Sequence, residues 1–283
     1  MTASNSLPTL GLAAHLEEIE QVPGLRDFLF DHDRDLEIRD LVVLGATDPD
    51  RWQAIAARAR QTLGAHRGRV GIHGPYEGLM IDTPDPDIRA IVQARLQAGL
   101  LALAAMQGGR GGGHMVIHSP YTTWHSYNRG TFYDDCAGIQ ERTHACLAPL
   151  VRLAEAEGLM LVIENCEDKD PAERVALAAS FNSPAVRVSL DTGHAHYAHG
   201  AMGAPPVDAF VRAAGAALAH VHLQDAEGWA DRHWAIGRGT IRWHAVFQAL
   251  RALPQMPRLM LEMADVRDAF ASARWLAGEG LAQ

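Results

Sequence analysis

Six residues that can bind a metal ion stand at the ends of short apolar segments in this chain. Each segment is typical of a buried β-strand, because β-branched and other apolar residues fill it. The six terminal residues are His73, His118, Glu164, Asp191, His222 and Glu262. Imidazole and carboxylate groups are ligands that Zn²⁺, Mn²⁺, Mg²⁺ and Co²⁺ accept in proteins. A single His or Glu at a strand end usually has a structural role, but six such residues together predict a divalent-metal site.

Eight predicted strands position these residues, and they alternate with longer segments of helical periodicity. The strands are predicted at Thr9–Ala14, Leu36–Leu44, Arg69–His73, His114–His118, Leu159–Glu164, Val186–Asp191, Ala219–Leu223 and Arg258–Glu262. Strand–helix alternation predicts parallel strands, and eight repeats favour a closed barrel. An open doubly wound sheet would carry a glycine-rich turn after its first strand, which this sequence lacks. We therefore predict an α/β protein, a (β/α)8 TIM barrel, with residues 1–283 forming a single domain.

Two predicted helices show the clearest apolar faces. The first follows the third strand, and its apolar positions are Ile88, Ile91, Val92, Leu96, Leu100 and Leu103. The second covers roughly Asp135–Glu157, and its inner positions are Leu147, Leu150, Val151 and Ala154. Their spacing of three and four residues is that of one helix face. Pro205-Pro206 marks the start of a later helix, where proline is tolerated.

Composition limits the class of protein. Hydrophobic residues make up 48% of the chain and charged residues 21%, which supports a large core and argues against disorder. The net charge of −9 without a run of Lys or Arg weakens the case for a nucleic-acid partner. Three cysteines, Cys136, Cys146 and Cys166, suggest reduced thiols. With neither a signal-peptide pattern nor a long apolar run, we expect a cytoplasmic protein that does not enter a membrane.

Three more potential ligands lie in the loops that follow the later strands. His194 comes three residues after Asp191, and Asp231 and His233 follow His222. The carboxyl ends of all barrel strands meet at one mouth, where active sites are built. We therefore expect these loop residues beside the six strand-end residues.

The loop Tyr121–Asp135 carries three aromatic side chains, those of Trp124, Tyr127 and Phe132. Their rings suit stacking on a sugar or on a base, and shielding of the mouth from solvent is an equally good interpretation. Trp124 is counted among the candidate substrate-binding residues. Cys166, two residues beyond Glu164, is interpreted as a packing residue.

Three motifs resemble the xylose isomerase-like barrel superfamily. They are Leu-Asp191-Thr-Gly-His194-Ala, His222-Leu-Gln-Asp225 and Asp231-Arg-His233-Trp-Ala-Ile-Gly-Arg-Gly. This group includes sugar isomerases and epimerases, inosose dehydratases and the apurinic endonuclease IV family. The resemblance covers the barrel from His73 to Glu262. The motifs are specific to the superfamily but not to one activity within it.

The sugar branch of this superfamily implies one divalent metal. Its four ligands match Glu164, Asp191, His222 and Glu262, and the two glutamates would move protons through an enediolate. The residues that would bind a sugar-like substrate are His73, His118, His194, His233 and Trp124. Relatives often pair through their barrel surfaces, so the resemblance leaves open whether this protein forms a homo-oligomer.

The endonuclease IV branch implies three zinc ions and a nucleic-acid partner. Its first metal would take His73, His118 and Glu164, with Glu164 bridging. The second would take Asp191, His222 and Glu262, and the third His194, Asp231 and His233. All nine positions carry the required residue type. The resemblance thus leaves one to three metal ions open, and intact ligand positions argue against a degenerate, non-enzymatic barrel.

Two features favour the sugar branch. The second strand carries Glu37 in Asp-Leu-Glu37-Ile-Arg39-Asp40, as is common in that branch, and it lacks the Arg-, Lys- and aromatic-rich loop expected of a DNA-binding relative. The sequence therefore predicts a divalent-metal-dependent isomerase or epimerase of a sugar or hydroxycarbonyl compound. A multinuclear zinc phosphodiesterase that acts in apurinic-site DNA repair is the alternative.

Overall fold

Eight parallel strands close into a barrel in the computed structural model, which describes residues 7–43, 45–131 and 138–283. The strands are β1 Leu10–Ala14, β2 Leu36–Ile38, β3 Val70–His73, β4 His114–His118, β5 Met160–Glu164, β6 Val186–Asp191, β7 Leu218–Leu223 and β8 Arg258–Leu261. Each strand pairs with its neighbours in the sequence, and β1 closes the barrel by pairing with β8. The predicted (β/α)8 barrel is confirmed.

The helices cover the outside of this barrel. They are α1 Leu16–Gln21, α2 Leu25–Phe30, α3 Pro49–Leu63, α4 Pro86–Gln107, α5 Thr123–Asn128, α6 Ile139–Glu157, α7 Pro171–Ser180, α8 Thr192–Met202, α9 Val207–Ala214, α10 Trp243–Arg251 and α11 Asp268–Gly278. Capping residues and prolines explain where several of these helices begin. The Asp85 carboxylate caps α4, with Pro86 in the first turn, and Pro206 is the N-cap residue of α9.

The strands are almost completely buried, since helices cover one face and the barrel interior the other. All five residues of β1 are buried, as are Leu161, Val162 and Ile163 of β5. Strands that are buried on both faces read as continuous apolar runs rather than as alternating ones. This is why the strand positions could be predicted and why a polar residue at a strand end stands out.

The second strand is shorter than predicted. It ends at Ile38, and Asp40–Val42 form a 3-10 turn instead of continuing the strand, while Leu44 lies outside the described residues. A short apolar run fits a strand or a helical turn equally well by periodicity. Here the Asp40 carboxylate accepts a hydrogen bond from the backbone N–H of Leu16 at 2.9 Å, which ties the turn to the start of α1.

Two helix predictions also need correction. Ile88 and Ile91 are about half exposed, while Val92, Leu96, Leu100 and Leu103 are buried. At about 100° per residue, Ile91 lies about 140° from Leu96, outside the buried face. The helix predicted from Asp135 begins at Ile139 among the described residues, and Asp135 itself lies outside them.

Helix α4 is the one helix of the described residues that is long and apolar enough to cross a membrane. Its buried residues, such as Leu96 and Leu100, pack into the common core, and α4 contacts the neighbouring helices α3 and α6 as well as β3. The length and composition of this helix are therefore explained by its place in the barrel wall.

Candidate metal centre

The first group of potential ligands comes from β3, β4 and β5. His118 pairs directly with Glu164 in the sheet register, and its Nε2 lies 3.5 Å from Glu164 Oε2. His73 Nε2 lies 3.8 Å from the same oxygen. The Nδ1 of His73 donates to the carbonyl oxygen of Gly74 at 2.9 Å, because a carbonyl only accepts. Nε2 of His73 is therefore the nitrogen that is left for a cation beside Glu164.

The second group lies at the ends of β6, β7 and β8. Asp191 pairs with His222 in the sheet register, and Glu262 directly follows β8. His222 Nδ1 faces two carboxylates at once, since it contacts Glu164 Oε1 and lies 3.2 Å from Glu262 Oε2. Two acidic side chains thus converge on one imidazole nitrogen, with Asp191 on the neighbouring strand.

Asp191 supplies the test of whether a cation fits. Its Oδ1 accepts hydrogen bonds from the backbone of His194 at 2.7 Å and from Gln224 Nε2 at 3.2 Å. Its Oδ2 is buried and has no hydrogen-bond partner among the described residues. A buried carboxylate oxygen without a partner is costly, and a bound cation would satisfy it. The donor set of Glu164, Asp191, His222 and Glu262 therefore fits a divalent metal.

The third group is formed by the loop residues His194, Asp231 and His233. Both histidines direct Nε2 at Asp231 Oδ2, at 3.2 Å from His194 and 3.1 Å from His233. Their Nδ1 atoms face backbone carbonyls, of Asn165 at 2.8 Å and of Glu262 at 3.2 Å. Such contacts orient ligating imidazoles in metal sites. The structure thus brings all nine predicted residues together in three adjoining groups.

Gln224 holds the third group in place, a role that the sequence analysis missed. Its Nε2 donates to Asp231 Oδ1 at 2.7 Å, and its Oε1 accepts from the backbone N–H of His233 at 2.8 Å. Gly193 provides the space, since a Cβ there would lie 2.2 Å from the Gln224 amide. The one available signal was its place in the motif His222-Leu-Gln-Asp225.

Asp225 anchors the loop that carries Asp231 and His233. Its carboxylate accepts hydrogen bonds from the backbone N–H groups of Ala226, Gly237 and Ile241 and from the indole N–H of Trp243, at 2.9–3.3 Å. Gly239 permits this wrapping, because a Cβ there would lie 2.3 Å from Asp225 Oδ1. Gly237 and Gly239 thus both serve the buried carboxylate.

Burial and neighbouring charges set the protonation of the site. Burial opposes ionisation of Glu164, yet His222 and His73 hold the pKa of Glu164 well below its ordinary value. Burial lowers the pKa of His118 to about 4, and the nearby His73 adds to this shift. At neutral pH the site therefore offers an ionised Glu164 and a neutral His118 ring.

His222 has the opposite shift. Burial disfavours its charged form, but Glu262, Glu37 and Glu164 together hold the pKa of His222 well above the ordinary histidine value. A cation bound at Nδ1 would take the place of the proton that this nitrogen otherwise shares with Glu164 and Glu262.

Two further side chains lie near these groups, one interpreted differently from the sequence and one missed. Cys166 has its Sγ, a Glu164 oxygen and a His194 nitrogen within 4.8 Å of one another, so it lies at the site rather than only in packing. Tyr76 stacks on His118 with ring centroids 4.5 Å apart. Its one sequence signal is its position three residues after His73.

The structure describes two of the three aromatic residues in the loop Tyr121–Asp135, and these two differ in their surroundings. Trp124 lies in α5 with 55% of its surface exposed and belongs to none of the three ligand groups. The Tyr127 hydroxyl donates to the carbonyl of Met202 at 3.2 Å, so it ties α5 to the end of α8. Phe132 lies outside the described residues.

A family model described as a xylose isomerase-like TIM barrel matches residues 32–279. This chain belongs to that family. The match covers the barrel from before β2 to the end of α11, and so it includes every ligand group described above.

Solved structures share the fold across nearly the whole chain. A D-tagatose 3-epimerase-like protein has a TM-score of 0.75 at 19% identity, with 96% of this chain and 97% of that chain covered. The IOLI protein with a bound zinc atom has a TM-score of 0.69 at 15% identity, with 96% and 98% covered.

A curated relative has a more limited match. The uncharacterized protein MJ1311 of Methanocaldococcus jannaschii is 25% identical over 169 residues, which is 56% of this chain. The match spans about half of that relative, 53% of its length.

Proposed function

We propose that this protein is a divalent-metal-dependent isomerase or epimerase that acts on a sugar or a related small hydroxycarbonyl compound. The observation that carries the proposal is the approach of two glutamates, Glu164 and Glu262, to the same nitrogen of His222. With Asp191 they form a four-residue ligand set whose carboxylates are also placed to move protons. The likeness to a D-tagatose 3-epimerase-like protein supports the same chemistry.

The metal would be Zn²⁺ or Mn²⁺, with Mg²⁺ or Co²⁺ as further candidates for this oxygen- and nitrogen-rich donor set. When bound, it supplies positive charge for a carbonyl oxygen and an adjacent hydroxyl oxygen of the substrate. The IOLI protein, which shares this fold, has a bound zinc atom, and this supports a metal in the present protein.

The two glutamates do the proton transfer in this proposal. Both have a lowered pKa and are ionised at neutral pH, because His222 outweighs the cost of burial at each. One glutamate removes the proton from the carbon next to the carbonyl, and an enediolate forms as the electron pair moves to oxygen. The other returns a proton, or the same glutamate does both.

The histidines around the mouth would bind substrate hydroxyl groups. His118 is neutral and 26% exposed, so it can accept a hydrogen bond from a hydroxyl. In this proposal His73, His194 and His233 would bind further hydroxyl groups, and the exposed ring of Trp124 would stack on the substrate. Burial of Glu164, His222 and Glu262 limits the access of water, which protects the enediolate from side reactions.

Exchange of the substrate α-proton with deuterated solvent tests this assignment. A panel of ketoses would be incubated with the metal-loaded protein and with Glu164→Gln and Glu262→Gln. Loss of either base is expected to slow exchange by about 10²- to 10⁴-fold. Glu157→Gln, at the exposed end of α6, is the control. Undiminished exchange in both site variants would rule out the glutamate mechanism.

A multinuclear zinc phosphodiesterase is the second candidate. The observation in its favour is the third ligand group, in which both histidines are held by backbone carbonyls and aim Nε2 at Asp231. The metal content of the purified protein separates the two functions. About three tightly bound zinc ions per chain, together with incision of abasic-site DNA, would favour the phosphodiesterase, whereas one exchangeable ion would favour the isomerase.

A further inference from the structure

We propose that Glu37, His114 and Arg258 form a hydrogen-bonded chain inside the barrel that fixes which nitrogen of His222 faces the metal. These three are positioning residues, since they lie beneath the ligand groups and act through His222. The inference rests on the proposed function only in taking His222 as a metal ligand.

Three hydrogen bonds connect the bottom of the barrel to its mouth. Arg258, the first residue of β8, donates from Nη1 to Nδ1 of His114 at 2.5 Å. His114 Nε2 lies 2.9 Å from Glu37 Oε2, and His222 Nε2 lies 2.9 Å from Glu37 Oε1. Glu37, His114 and His222 are at most 1% exposed.

The donor and acceptor groups determine the direction of each of these three hydrogen bonds. A guanidinium has only donors, so Nδ1 of His114 must accept. The proton of the neutral His114 ring therefore sits on Nε2 and is donated to Glu37. An ionised carboxylate only accepts, so Nε2 of His222 must donate to Glu37. This leaves Nδ1 of His222 as the nitrogen directed at Glu164 and Glu262, where the metal would bind.

The surrounding residues leave room for the His114 side chain and add further polar contacts near Glu37. Gly71 of β3 leaves room for the His114 ring, because a Cβ there would lie 2.1 Å from it. His220 Nε2 lies 3.1 Å from Glu37 Oε2 without hydrogen-bond alignment, and Ser189 Oγ lies 2.8 Å from His220 Nδ1. The buried Glu37 carboxylate needs the hydrogen bonds from His114 and His222, because a buried ion without partners costs several kcal/mol even after the protein relaxes.

A separate metal site is the competing explanation, because Glu37, His114 and His220 each offer a ligand atom within 4.8 Å of the others. Arg258 argues against it. Its guanidinium bonds to His114 and would repel a second cation a few ångströms away, at an interior position with little solvent to screen the charges. The hydrogen bonds of Glu37 to His114 and His222 account for the positions of the two Glu37 carboxylate oxygens without a metal.

The affinity for zinc, measured by competition with a chromophoric chelator, tests the proposal without any substrate. In Glu37→Gln, the amide group puts a donor against an N–H of His114 or His222, so one ring must change its protonated nitrogen. We expect zinc to bind 10- to 100-fold more weakly, the range found when such supporting partners are removed. Glu157→Gln should bind zinc as the unchanged protein does.

Arg258 variants test the far end of the chain. Arg258→Met removes the donor that sets the direction and should weaken zinc binding, although it is remote from every proposed ligand. Arg258→Lys keeps a donor and should restore most of the affinity. Unchanged zinc affinity in both Glu37→Gln and Arg258→Met would overturn the proposal.

A measurement on the unaltered protein covers the case in which these variants fail to fold. Nitrogen-15 NMR of histidine-labelled, zinc-loaded protein distinguishes a protonated ring nitrogen from a metal-bound one. We expect His222 to carry its proton on Nε2 and to bind zinc through Nδ1, and the reverse assignment would overturn the proposal. If the ligand assignment holds while the glutamate variants retain α-proton exchange, only the isomerase function fails.

Discussion

Gln224 donates a hydrogen bond from Nε2 to Oδ1 of Asp231 at 2.7 Å, and the same amide accepts from the backbone of His233. Gln224 is fully buried, and its amide links the partly exposed Asp231 side chain to the backbone of His233. The relationship joins the carboxyl end of β7 to the loop that carries two potential ligands. It makes Gln224 the residue on which the geometry of that loop depends.

Replacement of Gln224 by Leu should therefore destabilise the protein and loosen the third ligand group. The change removes the hydrogen bonds of the Gln224 amide to Asp231, to the buried Asp191 and to the backbone N–H of His233, which costs about 2–3 kcal/mol in free energy of unfolding. Urea denaturation of the metal-free protein measures this. Gln21→Leu, at an exposed i,i+4 contact with Glu17, is the control and should change stability by less than about 0.5 kcal/mol. Equal stabilities of the two variants would contradict the role of Gln224.

Asp191 should show opposite effects on stability and on metal binding. Burial raises the pKa of Asp191 to about 6, because the charged carboxylate is poorly accommodated there without a cation. Asp191→Asn is expected to stabilise the metal-free protein at pH 8 by about 1–3 kcal/mol. It should also abolish the rise in melting temperature that Zn²⁺ or Mn²⁺ produces in the unaltered protein. A variant that zinc stabilises as strongly as before would show that Asp191 is no ligand.

Asp225 should be essential for the stability of the loop after β7. Asp225→Asn turns an NH₂ group towards backbone or indole donors, and we expect a loss of about 3 kcal/mol in the free energy of unfolding. Asp208→Asn removes only an i,i+4 ion pair with Arg212 and should cost about 0.3–0.5 kcal/mol. Urea denaturation compares the two. Similar losses would mean that the four hydrogen bonds to Asp225 contribute little.

Lowering the pH should destabilise the protein, because His114 resists protonation in the folded state. Burial lowers the pKa of His114 to about 3, whereas an unfolded histidine titrates near ~6.5. Between these values the unfolded chain binds a proton that the folded protein does not bind. The contribution of His114 is therefore fully present above about pH 6.5 and is lost as the pH falls towards 3, by at most ~1.4 kcal/mol per pH unit.

Urea denaturation at pH 7, 6 and 5 measures that slope. His114→Gln should give a shallower dependence than the unaltered protein, because it removes the titrating group. His32→Gln, at an exposed position, should leave the slope unchanged. An identical slope in His114→Gln would show that acid destabilisation arises elsewhere in the protein.

The barrel and its strand-end residues were predictable because they depend on local patterns. Parallel strands that are buried on both faces produce apolar runs, and a polar residue at the end of such a run, such as Glu164 or Asp191, is conspicuous. The predicted secondary structure was wrong where one pattern of apolar residues fitted two arrangements. The run after Ile38 suited a strand or a turn, and Ile91 was placed on the wrong side of its helix.

The amino-acid sequence by itself determined the fold, the family and the nine potential ligands, since each follows from residue types at recognisable positions. Only the tertiary structure decided which atoms face one another. Glu37 meets His114 across 77 positions of the chain and His222 across 185. Closure of the barrel brings these side chains together, and the direction of each hydrogen bond depends on partners that no local pattern reveals. The contacts of Glu37, Arg258 and Gln224 around the candidate metal centre were for this reason visible only in the folded protein.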